Sequence, residues 1–202
     1  MRLLRVLGLI AFLAAGAAAG AAQADSLLAG RVLVASEHMP DPRFQETVIY
    51  LVDHDENGAF GLIVNKPIST APIEGLLDRL GIDLDDEGLE ALRSGPVTLH
   101  YGGPVQPEIG FLLHSAEYAI RGTRTLSGAF ALTTNLRALV DIAFGHGPRR
   151  SLLIFGYSGW GPSQLEGELA RGDWAVIDAD PDLVLGSDHE SKWRRLLGGI
   201  II

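Results

Sequence analysis

Apolar positions recur along this chain in two rhythms, one suited to strands and one to helices. Short apolar runs at Arg31-Val32-Leu33-Val34-Ala35, Glu46 to Val52, Phe60 to Val64, Val97 to Tyr101, Gly110 to Ser115 and Ser151-Leu152-Leu153-Ile154-Phe155 predict strands. Between the second and third runs, Asn57-Gly58 predicts a tight hairpin, because both central residues of such a turn take positive φ. The helical rhythm is clearest from Pro72 to Leu80, where Ile73, Leu76, Leu77 and Leu80 share one face and Gly81 is the stop. Thr134 is placed to cap a helix from Asn135 to Phe144 that Gly145 ends. Ser187-Asp188-His189-Glu190 has capping-box spacing and opens a last helix through Leu197. A loop follows the first strand and carries His38 to Arg43, Gly102-Gly103-Pro104 reads as a turn, and Asp83 to Glu90 as an exposed acidic connection. Short strands mixed with short helices, without repeat or long linker, define an α+β fold in a single domain over residues 25–202.

The first 24 residues stand apart from that pattern. A basic start, Met1-Arg2-Leu3-Leu4-Arg5, precedes an apolar run from Val6 to Ala22 and a small-x-small site at Ala22-Gln23-Ala24. Those three parts make a secretory signal peptide, cleaved near Ala24/Asp25, with a retained anchor as the alternative. The expected location is periplasmic or secreted, with no membrane attachment after cleavage. The chain has 16 basic and 25 acidic side chains, a formal net charge of −9, and loss of Arg2 and Arg5 would make it more acidic still. That balance argues against direct nucleic-acid binding, which draws its non-specific affinity from phosphate neutralisation. The densest basic groups are Arg149-Arg150 and Lys192-Trp193-Arg194-Arg195, the latter read as a solvated helix face. No cysteine is present, which removes disulfides and lipid-modified N-termini from consideration.

The segment "GYSGWGPSQLEGEL", residues 156 to 169, superficially matches two catalytic loops. A phosphate loop needs a lysine where this chain has Pro162, so the main charge partner for a nucleotide is missing. A nucleophile elbow needs G-x-S-x-G, but here Gly159 falls one residue early and Trp160 takes the place of the small residue. Ser158 is therefore not expected to be a nucleophile. The remaining reading is a tight turn feeding a helix, with Ser163 and Glu166 as its capping box, Leu165 and Leu169 facing the core and Gly172 as its stop. That reading expects Trp160 to be partly buried near Gly102-Gly103-Pro104 or Lys66, with its ring edge open to a partner.

Three long blocks, at residues 30–67, 101–115 and 156–184, resemble the YqgE/AlgH family of bacterial proteins. The resemblance implies a branched, partly barrel-like β-sheet surrounded by helices. It implies little about activity, since members are labelled uncharacterised proteins or transcriptional regulators. It marks Asp41, Pro42, Arg43 and Phe44, then Asn65, Lys66 and Pro67, then Gly102, Gly103 and Pro104, and the loop Gly156 to Gly161 with Tyr157, Trp160 and Glu166. Arg43 and Lys66 could hold an anionic group against the flat wall of Trp160. Alternatively Arg43 pairs with Asp41 or Glu46, and the glycines and prolines only fix turns.

No complete catalytic motif, metal-ligand pattern or cofactor motif accompanies these residues. His54 lies between Asp53 and Asp55, but neighbours on a hairpin point apart and seldom share a metal. His100 and His114 read as hydrogen-bonded sheet residues, and His189 as isolated. The leading expectation is a non-enzymatic binding or regulatory protein with an unknown protein or small anionic ligand as partner. A hydrolase-like enzyme using the same loop face and a DNA-binding regulator are the alternatives, and cytoplasmic placement is the alternative for a typical family member.

Overall fold

The computed structural model describes residues 28–200, and the expected signal peptide lies outside them. Ten strands form one branched sheet: β1 (Arg31–Ala35), β2 (Val48–Asp55), β3 (Gly58–Ile63), β4 (Pro67–Ala71), β5 (Val97–Tyr101), β6 (Val105–Ser115), β7 (Arg124–Thr125), β8 (Phe130–Thr133), β9 (Ser151–Trp160) and β10 (Trp174–Asp178). Helices α1 (Ile73–Arg79), α2 (Asp86–Glu90), α3 (Arg137–Ala143), α4 (Gln164–Ala170), α5 (Pro181–Val184) and α6 (His189–Ile200) surround it. The main path runs β10-β1-β2-β3-β9-β6-β8-β7 and is antiparallel throughout. Strand β1 lies between β10 and β2 with Val32 to Ala35 buried, which is why it reads as an unbroken apolar run.

The branch point is β9. Its first half pairs with β6 on one side and, in parallel, with β5 on the other, Leu99 opposite Leu153 and Tyr101 opposite Phe155. Its second half leaves β5 and pairs with β3, Gly61 opposite Ser158 and Ala59 opposite Trp160. Gly156, at φ +72, lies where one partner gives way to the other. Gly156 to Trp160 are thus strand residues, which corrects the expectation of a tight turn there. Period-2 burial continues through Ser158 and Trp160, but small residues between them weaken the apolar signal.

Other boundaries move for identifiable reasons. Asp55 pairs with Gly58, so the hairpin turns at Glu56-Asn57 rather than Asn57-Gly58, and the Asp55 carboxylate accepts the Asn57 N–H at 2.7 Å. Gly58 is required for another reason: a Cβ there would sit 2.1 Å from the Trp160 carbonyl oxygen. Helix α3 begins without a Thr134 cap, and the Asn135 side chain instead accepts the Arg137 N–H at 2.9 Å. At α6 the capping acceptor is Asp188, not Ser187, and the helix continues to Ile200. The acidic connection contains α2, capped by Asp85 through the Gly88 N–H at 2.9 Å. Around Gly102-Gly103-Pro104 the chain passes from β5 to β6 without a hairpin, since both strands pair with β9 instead.

Ser163 does not cap α4. It sits in the left-handed region, φ 59, without a side-chain capping bond, and the Gln164 side chain accepts the Gly161 N–H at 3.1 Å instead. A left-handed conformation costs an L-residue roughly 1 kcal/mol. Ser163→Gly should therefore hold or raise the melting temperature, and Ser163→Ala and Ser163→Asp should melt alike. A loss of about 1 kcal/mol in Ser163→Ala that Ser163→Asp restores would instead reveal a capping serine.

Three packed clusters make up the core. Val32, Tyr50, Leu62, Leu113, Phe130 and Ile154 fill one side of the sheet. Leu33, Ile49, Ile63, Trp160, Leu165 and Trp174 fill a second, under α4. Leu76, Leu77, Leu112, Leu139 and Leu153 fill the third, between α1, α3 and the sheet.

Candidate functional site

The family-marked residues are held by one another. The Asp41 carboxylate grips Arg43 through Nε at 3.0 Å and Nη2 at 2.6 Å, and accepts the Arg43 backbone N–H as well. That side-chain bond holds the Asp41 carboxyl below the usual carboxylate range. Asn65 is buried: its Oδ1 accepts the Val48 N–H and its Nδ2 donates to the Glu46 carbonyl, both at 2.8 Å, fixing Glu46 at φ 56. Lys66 is half-buried, and its carbonyl accepts the Tyr101 N–H at 2.9 Å. Gly102 and Gly103 lie flat against β9, where a Cβ on either would fall 2.2 to 2.3 Å from backbone atoms of Gly156 or Tyr157. Tyr157 packs on Phe60 with ring centroids 4.8 Å apart. Ser158 is fully buried and its hydroxyl donates to the Gly102 carbonyl at 3.1 Å.

Trp160 is only 6% exposed, so its ring edge is not open to a partner. It stacks on Phe44 at 6.3 Å and meets Trp174 edge-on at 6.1 Å. One carboxylate oxygen of Glu168 accepts both indole N–H groups, from Trp160 at 2.9 Å and from Trp174 at 2.8 Å. Glu166, expected to close a capping box, reaches His54 Nε2 at 2.9 Å instead. Asp53, beside it, turns away to Arg124 at 2.9 Å.

The fold brings a different set together. A cleft of about 530 Å³ opens between β5, the start of β9, the loop after α3 and the first turn of α6. Arg93, Arg149 and Arg150 lie around it, with Thr98, Ser151 and Ser187 on its walls and His100 and His189 at its base. Arg150 is tied to Asp182 and donates to the Pro181 carbonyl at 3.3 Å. Arg93 donates to the Leu92 carbonyl at 3.0 Å. The backbone N–H of Arg149 is fixed by Glu117 at 2.7 Å, and its guanidinium makes no ion pair among the described residues.

The contacts at the base of the cleft favour one proton arrangement. His100, 1% exposed, faces the Leu153 carbonyl with Nδ1 at 3.3 Å and His189 Nε2 with its own Nε2 at 3.3 Å. A carbonyl only accepts, so neutral His100 carries its hydrogen on Nδ1 and offers a lone pair at Nε2. His189 then donates from Nε2, which leaves its Nδ1 as a bare acceptor, buried and without a hydrogen-bond partner among the described residues. Burial, then the neighbouring His189, draws His100 down to about 4. Burial, then the Lys192 ammonium, lowers His189.

Lys192 is the main surprise of the basic cluster read as solvated. It is 2% exposed, with Nζ donating to the carbonyls of Val64 and Val184 at 3.0 Å and of Gly186 at 3.4 Å. Burial draws its ammonium down to about 8. Trp193 beside it donates from Nε1 to the Ala35 carbonyl at 2.7 Å, so only Arg194 and Arg195 of the four face water.

These features define the class: a one-domain α+β protein with a curled, branched half-barrel sheet and a polar cleft at the sheet's branched end. The profile of the AlgH-like family matches residues 32–201, and the chain belongs to that family. A UPF0301 protein of Ruegeria pomeroyi is 45% identical over 171 residues, covering 84% of this chain and 90% of the relative. One from Methylococcus capsulatus is 41% identical over 168 residues, covering 83% and 88%. The solution structure of the AlgH protein from Pseudomonas aeruginosa is similar at a TM-score of 0.71 and 33% identity, covering 91% of this chain and 93% of that one. The same fold occurs in a Corynebacterium diphtheriae protein at a TM-score of 0.64 and 22% identity, covering 87% of this chain and 93% of that one.

Proposed function

We propose that this AlgH-like protein is a non-enzymatic binding or regulatory protein whose cleft takes a small oxyanion. One observation carries the reading: Arg93, Arg149 and Arg150 border one concavity in a chain of net charge −9. Overall charge repels anions at long range, so local cations must supply the attraction, and guanidinium forks suit oxyanions. Ser158 supports binding over hydrolysis, being buried and committed to Gly102. His100 supports it too, since its Nε2 is occupied by His189 rather than by a hydroxyl. The acidic balance also favours a protein or small-molecule partner over DNA.

Calorimetric titration with sulfate tests this. Arg149→Ala and Arg93→Ala should each weaken binding about tenfold, the loss of one charge-assisted contact at about 1.4 kcal/mol, with little change in melting temperature. Arg43→Ala and Lys66→Ala should leave affinity unchanged. Full affinity in an Arg93/Arg149 double variant would refute the cleft as the site. We further propose export, from the basic start, apolar run and small-x-small site of residues 1–24. N-terminal sequencing of protein from its host should return Asp25 or a near neighbour, and an intact Met1 on soluble protein would refute it.

A further inference from the structure

We infer that an anion entering the cleft brings one proton with it, taken from solvent onto the His100–His189 pair. The inference rests on the anion-binding reading of the cleft and goes beyond it, because it makes the ligand an oxyanion bound as an anion–proton pair.

The geometry of the empty pair supplies the reason. Two imidazoles linked Nε2 to Nε2 at 3.3 Å share one hydrogen, so they are hydrogen-bonded while neutral. The chain of donors runs from His189 to His100 to the Leu153 carbonyl and leaves only His189 Nδ1 unused. That nitrogen is the one place on the pair where a proton can be added without displacing an existing hydrogen bond. The product keeps every existing bond: His189 still donates from Nε2, and the Val64 carbonyl favours the charged ring.

The surrounding charges decide whether that proton stays. Burial and Lys192, on the same helix as His189, oppose it, and the arginines that border the cleft add no negative charge to offset them. Asp188, just before that helix, favours it, while Asp182 of α5 is committed to Arg150. From the sheet side His100 is faced by the Leu153 and Thr98 backbone, which carries no net charge. The empty cleft is therefore dominated by cations and burial, which keep the pair neutral. A bound oxyanion reverses the sign of the nearest mobile charge and draws the proton in, because an opposite charge nearby favours the imidazolium.

Sulfate is the suitable probe, since it stays a dianion across the relevant range and any proton taken up belongs to the protein. Near pH 6, titrations in two buffers of different ionisation enthalpy should differ in heat, in the sense of proton uptake and by at most one proton per sulfate. By linkage, affinity should be tighter at about pH 5.5 than at about pH 7.5, with about tenfold per pH unit as the ceiling for one proton. His189→Gln can still donate to His100 but cannot be charged, so it should bind sulfate with buffer-independent heat and little pH dependence. Sulfate that binds wild-type protein with equal heat in both buffers and constant affinity would overturn proton uptake and leave the binding site standing. No sulfate binding at either pH would overturn the site itself.

Discussion

Gly103→Ala should fail to give the native fold, or give it with a loss above about 4 kcal/mol, because overpacking and backbone strain coincide there. Gly103 adopts φ +146, and an added Cβ would lie 2.3 Å from the Tyr157 carbonyl group and 2.4 Å from the Ser158 nitrogen. None of those is the tip of a flexible side chain, so the relief must come from parting the β5–β6 connection from β9. That contact sits at the branch of the sheet, where Gly102 also accepts the Ser158 hydroxyl and the Ile63 N–H. Gly161→Ala is the control: a Cβ there meets nothing within 4 Å, and its effect should stay within about 0.5 kcal/mol. Soluble yield and thermal unfolding of the two variants measure the contrast. Equal stability in both would mean that the close approach at Gly103 is not needed.

Glu168→Ala should cost about 3 kcal/mol, since it strands two buried indole N–H groups at once. Trp160 and Trp174 are 6% and 4% exposed, and both donate to the same Glu168 oxygen. Glu168→Gln retains an acceptor but loses the charge that strengthens each bond, so about half of that loss should remain. Glu166→Ala should cost less, about 1 kcal/mol, because it strands one buried group, His54 Nε2, rather than two, and the Glu166 carboxylate is itself half exposed. Chemical denaturation of the three variants checks the ordering, and a Glu166 effect larger than that of Glu168 would contradict it.

Strands with a continuous apolar run were legible in the sequence, and β1 and β5 lie where the pattern puts them. So was the face of α1, with Ile73, Leu76 and Leu77 buried. The second half of β9 was not, because its glycines and serine match a catalytic loop better than a strand, and only pairing with β3 makes it one. Capping residues misled for a related reason. Ser163 has the right neighbours in sequence, yet the strand ending at Trp160 delivers the chain to α4 in a left-handed conformation that no serine cap shares. The family-marked residues were visible individually, but their mutual commitments were not: Arg43 to Asp41, Trp160 to Glu168, Ser158 to Gly102. The cleft was the least legible part. His100 and His189 are 89 residues apart and meet where the first turn of α6 reaches β5, with Lys192 turned inward to three carbonyls. Arg149-Arg150 was the one signal on offer, a basic pair immediately before a buried strand.

Backbone amide shifts during a sulfate titration test the placement of the site most directly. Saturable shifts should concentrate at Gly145, Gly147, Ser151, Ser187 and His189, which line the cleft, and should be absent from Asp41 to Phe44. Shifts confined to the Arg43–Lys66 face, or scattered without saturation over the basic surface, would contradict a built anion site between α3, β9 and α6.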